Sequence, residues 1–293
     1  MVRFNTMGNA SRLPRLGHAQ LYLSSLLLLG SMLPVAAFSQ EPPAEPEYPL
    51  AVAADAARLY VADRKLPGVW QWSDNKLTLM FRAEKKFRTP LNAIRCLAID
   101  GEGRLLAGDS STRNVYRFEG GKPVKLIDGN EVGMPMAIGV ASDGRIFVAD
   151  IESQQIWSVP AMGGKPEVVA KVAAPRGLAV DAEDRIWVVS HGANQLVRLN
   201  KDGKEETVVE GKPFQFPHHI ALDEQQNAYV ADGYAKTIWK IAKGGKPTAL
   251  VKGEPLENPV GVAWHDGTLW VADPRAKMVY RLTDEGKLEP VWK

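Results

Sequence analysis

The sequence predicts an all-β protein, a six-bladed β-propeller with four antiparallel strands in each blade. Two observations predict it. One short motif, an aromatic or large apolar residue followed by two small apolar residues and an aspartate, recurs six times between residues 48 and 293. The final positions of the copies, 63, 109, 150, 190, 232 and 273, lie 46, 41, 40, 42 and 41 residues apart. Seven residues after each stands Trp70, Tyr116, Trp157, Val197, Trp239 or Tyr280, so the turn between those two strands keeps one length throughout. A period of about 40–45 residues that resolves into four short strands is the mark of a propeller blade.

The units run in order along the chain. Unit one carries Tyr60-Val61-Ala62-Asp63, and unit two the degenerate copy Leu106-Ala107-Gly108-Asp109. Unit three turns at Ser142-Asp143-Gly144 into Phe147-Val148-Ala149-Asp150. Unit four resolves into four runs, Gly177 to Asp181, Arg185 to Ser190, Gln195 to Asn200 and Glu206 to Glu210, with a turn at Lys201-Asp202-Gly203 and Trp187-Val188-Val189-Ser190 as its motif. Units five and six carry Tyr229-Val230-Ala231-Asp232 and Trp270-Val271-Ala272-Asp273. Alternation, β-branched and aromatic residues and Asp-Gly turns make these runs strands and hairpins. A single blade cannot bury both faces, whereas a closed ring buries each against a neighbour and leaves only short edges. A β-sandwich also uses many short strands but supplies no reason for a sixfold repeat. The first strand is expected near Leu50 and the last over Lys287 to Trp292, so that blade one packs on blade six without an exchanged strand.

Residues 1–39 read as a targeting segment. Arg3, Arg12 and Arg15 precede an apolar stretch from Leu21 to Leu29, and Val35, Ala37 and Ser39 offer cleavage after 37 or 39. The stretch is short and broken by Pro34, which disfavours a stable membrane span unless the leader stays uncleaved. The expected location is therefore periplasmic or extracellular, and the expected state monomeric. Residues 40–47 form a Pro/Glu-rich linker ahead of the domain at 48–293. Removal of the leader leaves 33 Lys+Arg against 34 Asp+Glu, a formal charge of −1. With no basic run and no stripe of aromatics and arginines, nucleic acid is not an expected partner. The single cysteine, Cys96, cannot form an internal disulfide and reads as a small buried residue.

The units resemble the NHL repeat. Pro175-Arg176-Gly177-Leu178-Ala179-Val180-Asp181 with Arg185-Ile186-Trp187-Val188, and Pro217-His218-His219-Ile220-Ala221-Leu222-Asp223 with Ala228-Tyr229-Val230-Ala231-Asp232, are similar to its strand-turn-strand core. The resemblance covers about residues 48–293. Its superfamily takes in interaction propellers, metal-dependent lactonases of the SMP-30/gluconolactonase type, peptide-amidating lyases and streptogramin lyases, so the resemblance implies an architecture and leaves activity open.

In such propellers the innermost strand begins at the proline and lines the channel, which puts the following residue at the channel mouth. That column reads Leu50, Arg95, Met136, Arg176, His218 and Val260, two arginines and a histidine without an acid. Converging cations of this kind attract an anion. The alternative is structural, with rim arginines paired to the motif aspartates. Five aspartates at one repeat position imply a turn or backbone hydrogen bond used in every blade. Unit four departs from the pattern with Ser190-His191-Gly192, and unit five with His218-His219, so His191 and His218 are expected to approach one another beside Arg176 and Tyr234. Imidazoles there can act as a base or ligate a metal.

The resemblance to the lactonases implies a divalent ion held by glutamate, asparagine and aspartate in that column. The matching positions here are Arg95, Met136, Arg176 and His218, so that set is not carried over. The amidating lyases place zinc-binding histidines there, with arginine, methionine and tyrosine handling substrate. His218 matches one such histidine, Arg95, Arg176 and Met136 match in type, and the other histidines are missing. Streptogramin lyases have one blade more than this chain supplies. Two functional readings follow. One is a binding or interaction module whose basic mouth, with Arg95, Met136, Arg176, His191, His218, His219 and Tyr234, takes an anionic small molecule, peptide or protein partner. The other is a lyase or hydrolase acting on an ester, lactone or related substrate, with His191 or His218 as base and a divalent metal as a candidate cofactor on the same two histidines.

Overall fold

The computed structural model describes residues 45–84, 86, 88–200 and 202–292. The targeting segment and residues 40–44 of the linker lie outside the described residues. No helix occurs among the described residues, and none there is long and apolar enough to cross a membrane.

Six four-stranded antiparallel sheets follow one another along the chain, each made of four consecutive strands. The blades span 49–82, 94–125, 135–171, 175–209, 217–252 and 261–290. Their innermost strands are Pro49–Ala54, Ile94–Ile99, Pro135–Val140, Pro175–Val180, Pro217–Leu222 and Gly261–His265. In blade four this strand starts two residues earlier than the apolar run suggests, because Pro175 already pairs with Ser190. The final strand is shorter than expected, Leu288–Pro290. Its Pro290 has no N–H with which to extend the ladder.

The six apolar clusters each span a boundary between two blades. Between blades four and five, for example, Trp187, Val189, Leu196 and Val209 meet Ile220, Ala228, Val230 and Ile241. Ring closure repeats the pattern without strand exchange: Val52, Leu59, Val61 and Trp70 of blade one pack on Ala272 and Val279 of blade six. The constant offset of seven has its cause in the hairpin register. Asp63 pairs with Gly68, Asp150 with Gln155 and Asp232 with Thr237, each across a four-residue turn, and the recurring aromatic then pairs two residues before the aspartate, as Val148 does with Trp157.

The motif aspartates are staples. Asp150 is fully buried and accepts from the backbone N–H of Gly133 and Met134 in the loop before its blade, and from Glu152 and Ser153 in the turn after it. Burial pushes its carboxyl up, but these donors outweigh that and hold it below the usual range. Asp63, Asp109, Asp232 and Asp273 take N–H groups from the corresponding loops. The aspartates thus fix the loops around one end of the channel and do not pair with the mouth arginines.

Candidate functional site at the channel mouth

Inner strands of adjacent blades approach closely here. A Cβ on Gly177 would lie 2.7 Å from the Cα of His219, so only glycine fits that contact. At the start of the inner strands of blades one to five the ladder slips by one residue, between Pro49 and Ala51, Ile94 and Cys96, Pro135 and Ala137, Pro175 and Gly177, and Pro217 and His219. The skipped residues are Leu50, Arg95, Met136, Arg176 and His218. A bulge bends the strand and re-aims the side chain it carries, which is how alternating strands deliver these five to one opening.

All six residues of the predicted column, Leu50, Arg95, Met136, Arg176, His218 and Val260, line one cavity of about 140 Å³, and His219 lines it as well. Tyr48, Ala51, Arg64, Asn258 and Gly261 complete it, none of which the column contained. Arg64 directly follows the motif aspartate of blade one, the place His191 holds in blade four. Tyr48 and Phe216 precede the inner-strand proline in blades one and five, and Asn258 precedes Pro259, ahead of the inner strand of blade six. These two flanking columns were open to the same repeat comparison.

Phe216 is the hub of the other half of the site. Its ring meets His191 edge-on at 4.5 Å and His218 at 5.0 Å, and stacks with Tyr234 at 4.5 Å. The guanidinium of Arg176 lies over it at 5.2 Å. His191, His218, Arg176 and Tyr234 are therefore gathered around one side chain, as their placement on neighbouring blades predicted. Tyr234 is 64 % exposed and forms the outer rim. His219 turns away: its ring Nδ1 sits 3.1 Å from the carbonyl oxygen of Val262, while Nε2 is shut off from solvent without a partner. It also lines the cavity at the far end of the channel, where His265 lies.

Electrostatically the mouth is cationic. None of the cavity-lining residues is acidic, and among the described residues Arg64, Arg95 and Arg176 make no ion pair. Burial pulls the Arg95 guanidinium down, with the nearby charges of Arg64 and Arg176 adding to it. Burial and then Arg176 and His191 pull His218 down to about 4. His191 is lowered by burial and by Arg176, against the opposing carbonyl of Pro217. Both rings are neutral near pH 7.

A divalent cation does not fit this lining. Hard divalent ions take oxygen ligands, carboxylates foremost, and three guanidiniums repel them. No three His, Cys, Asp or Glu side chains converge in a metal-holding arrangement among the described residues. His191 and His218 flank Phe216 as a pair only. Cys96 is buried, its thiol pushed up to about 12 by burial, and takes no part.

The model of the family described as SMP-30/Gluconolactonase/LRE-like region matches residues 44–227. No significant match occurs among curated proteins. Among solved structures, the chain is similar to a gluconolactonase from Xanthomonas campestris, with TM-score 0.68, 15 % identity and coverage of 84 % of this chain and 87 % of that one. It is similar to virginiamycin B lyase from Staphylococcus aureus, with TM-score 0.64, 17 % identity and coverage of 83 % and 84 %. A chain of a nidogen/laminin complex gives TM-score 0.68, 16 % identity and coverage of 81 % and 94 %. At these identities the likeness is one of fold.

Proposed function

The chain belongs to the SMP-30/gluconolactonase/LRE-like family, and within it we propose a propeller that binds an anionic small molecule or peptide terminus at its channel mouth. The observation that carries this reading is the lining of the mouth cavity: Arg64, Arg95 and Arg176 face it with no carboxylate among the lining residues. Guanidinium–carboxylate and guanidinium–phosphate bonds are among the stronger hydrogen bonds a protein makes. Leu50, Met136 and Val260 supply the apolar wall such pockets need. Titration calorimetry with acetate and its neutral analogue acetamide tests the reading. Acetate should bind, acetamide should not, and Arg176→Ala should weaken acetate about tenfold or more. Equal binding of the two, or binding untouched by Arg176→Ala, sinks it. The basic, apolar leader supports action after export, which the N-terminal mass of protein recovered from outside the cytoplasm would check.

A second reading, hydrolysis or elimination on the bound anion, is favoured by the histidines. His191 is neutral and, because a carbonyl can only accept, its Nε2–H donates to Pro217, leaving Nδ1 as the free lone pair. A neutral imidazole beside an anion site is the state a general base requires. Of the structural neighbours, one is a gluconolactonase and another a lyase whose histidine-to-alanine variant is catalytically inactive. Turnover of carboxylated lactones and esters that falls at least a hundredfold in His191→Ala would establish it. A protein inert to both leaves the binding reading alone.

A further inference from the structure

We propose that the ligand of this mouth is a small dianion, engaged by Arg64, Arg95 and Arg176 together. This deepens the anion-binding reading and rests on it. The three guanidiniums have different local supports and a common lack of counter-charge. Arg95 is fixed through Nε, 3.0 Å from the Ser110 hydroxyl oxygen, and that hydroxyl in turn donates to the Ala93 carbonyl, which leaves the terminal nitrogens of Arg95 for a ligand. Arg176 is laid over Phe216, and its Nε is shut off from solvent without an acceptor. Arg64 is exposed and follows Asp63, whose carboxylate is already taken by the N–H groups of Glu47, Tyr48, Lys65 and Leu66.

The charge count sets the ligand class. Three positive groups face a cavity whose lining histidines, His218 and His219, are neutral, and none of the lining residues is acidic. A monoanion would leave two uncompensated charges side by side, and a dianion leaves one. Size narrows the class further. A cavity of about 140 Å³ has room for roughly five waters at about 30 Å³ each, which suits a phosphate or a four-carbon diacid. Leu50, Met136 and Val260 would cover the carbon skeleton of the diacid.

Calorimetry on the full protein at pH 8 distinguishes charge from size by comparing succinate with succinamate, which has the same length and one charge fewer, and adding inorganic phosphate as a compact dianion. Succinate, phosphate or both should bind at least about tenfold tighter than succinamate, the worth of one charge-assisted hydrogen bond. Arg64→Gln should abolish that difference while succinamate still binds. Succinamate binding as tightly as both dianions overturns the inference and leaves the anion-binding reading standing. Failure of all three anions to bind overturns both.

Discussion

The Nε2 of His191 lies 2.8 Å from the carbonyl oxygen of Pro217, so the turn after the second strand of blade four is tied to the first residue of the inner strand of blade five. Blade four carries serine where the other blades carry the aspartate, and histidine directly after it. Ser190 spends its hydroxyl inside its own turn, on the Asn194 carbonyl and the Gly192 N–H, and the backbone of His191 is held to the Ala174 carbonyl while its ring reaches the neighbouring blade. Among the described residues, no other blade ties the side chain after its motif position to the first residue of the next inner strand.

His191→Phe tests that contact. The new ring keeps the packing against Phe216 but has no donor for Pro217. The expected loss of stability is about 1 kcal/mol, the net worth of one hydrogen bond, with any turnover abolished. Chemical denaturation and a lactone or ester assay measure the two separately. Retained turnover would remove His191 as the base.

Stability should fall in mild acid. Burial brings His218 and His219 to about 4 in the folded protein, against about 6.5 in an unfolded chain. Between those values the unfolded chain takes up protons that the folded one refuses, so the stability is whole above pH 6.5 and declines toward pH 4. The limit is about 3 kcal/mol for each ring. Urea midpoints at pH 7, 5.5 and 4.5 should show the decline, and the double variant His218→Asn/His219→Asn should flatten it. An undiminished slope in the double variant would place its origin elsewhere.

Much of the mouth was legible because a repeat turns sequence position into spatial position. Arg95, Met136, Arg176 and His218 share one offset from the strand start, and the ring brings that offset to one opening. Arg64, Phe216 and Asn258 sit in the loops flanking the strands, just after a motif position or just before a proline, so they reach the mouth from columns that the inner-strand offset alone does not select. The bulges were equally hidden: slipping the register after Pro175 or Pro217 needs no special residue, only a strand end whose pairing is interrupted. His219 shows the remaining limit. Adjacent to His218, it points by strand alternation toward the blade six carbonyl of Val262, and sequence alone does not separate the roles of two neighbouring histidines.

The motif aspartates should be costly to remove even where no ligand is near. Asp150→Ala would leave the N–H groups of Gly133, Met134, Glu152 and Ser153 without their acceptor, and the indole N–H of Trp157 with the Ser153 hydroxyl alone. At about 1–3 kcal/mol for each buried unsatisfied donor, partly offset by water reaching the loop, the loss should exceed about 4 kcal/mol. Thermal or urea denaturation reads it directly. A loss below about 1 kcal/mol would mean the loop holds its shape without the staple.

Gly233 offers the most selective probe of the mouth. It occupies in blade five the position that Arg64 and His191 occupy in blades one and four, and its backbone conformation is ordinary, so alanine brings no strain of its own. A Cβ there would fall 2.6 Å from Asn258 Oδ1 and 3.2 Å from the ring of His218. The amide of Asn258 can swing aside, because the clash is with the end of a side chain. His218 is confined by Phe216 and must shift by a few tenths of an ångström. Gly233→Ala should therefore fold with a stability within about 1 kcal/mol of the parent yet bind anions several-fold more weakly. Unchanged affinity in the folded variant would mean that His218 and Asn258 lie outside the space the ligand uses, and that the arginines alone define the site.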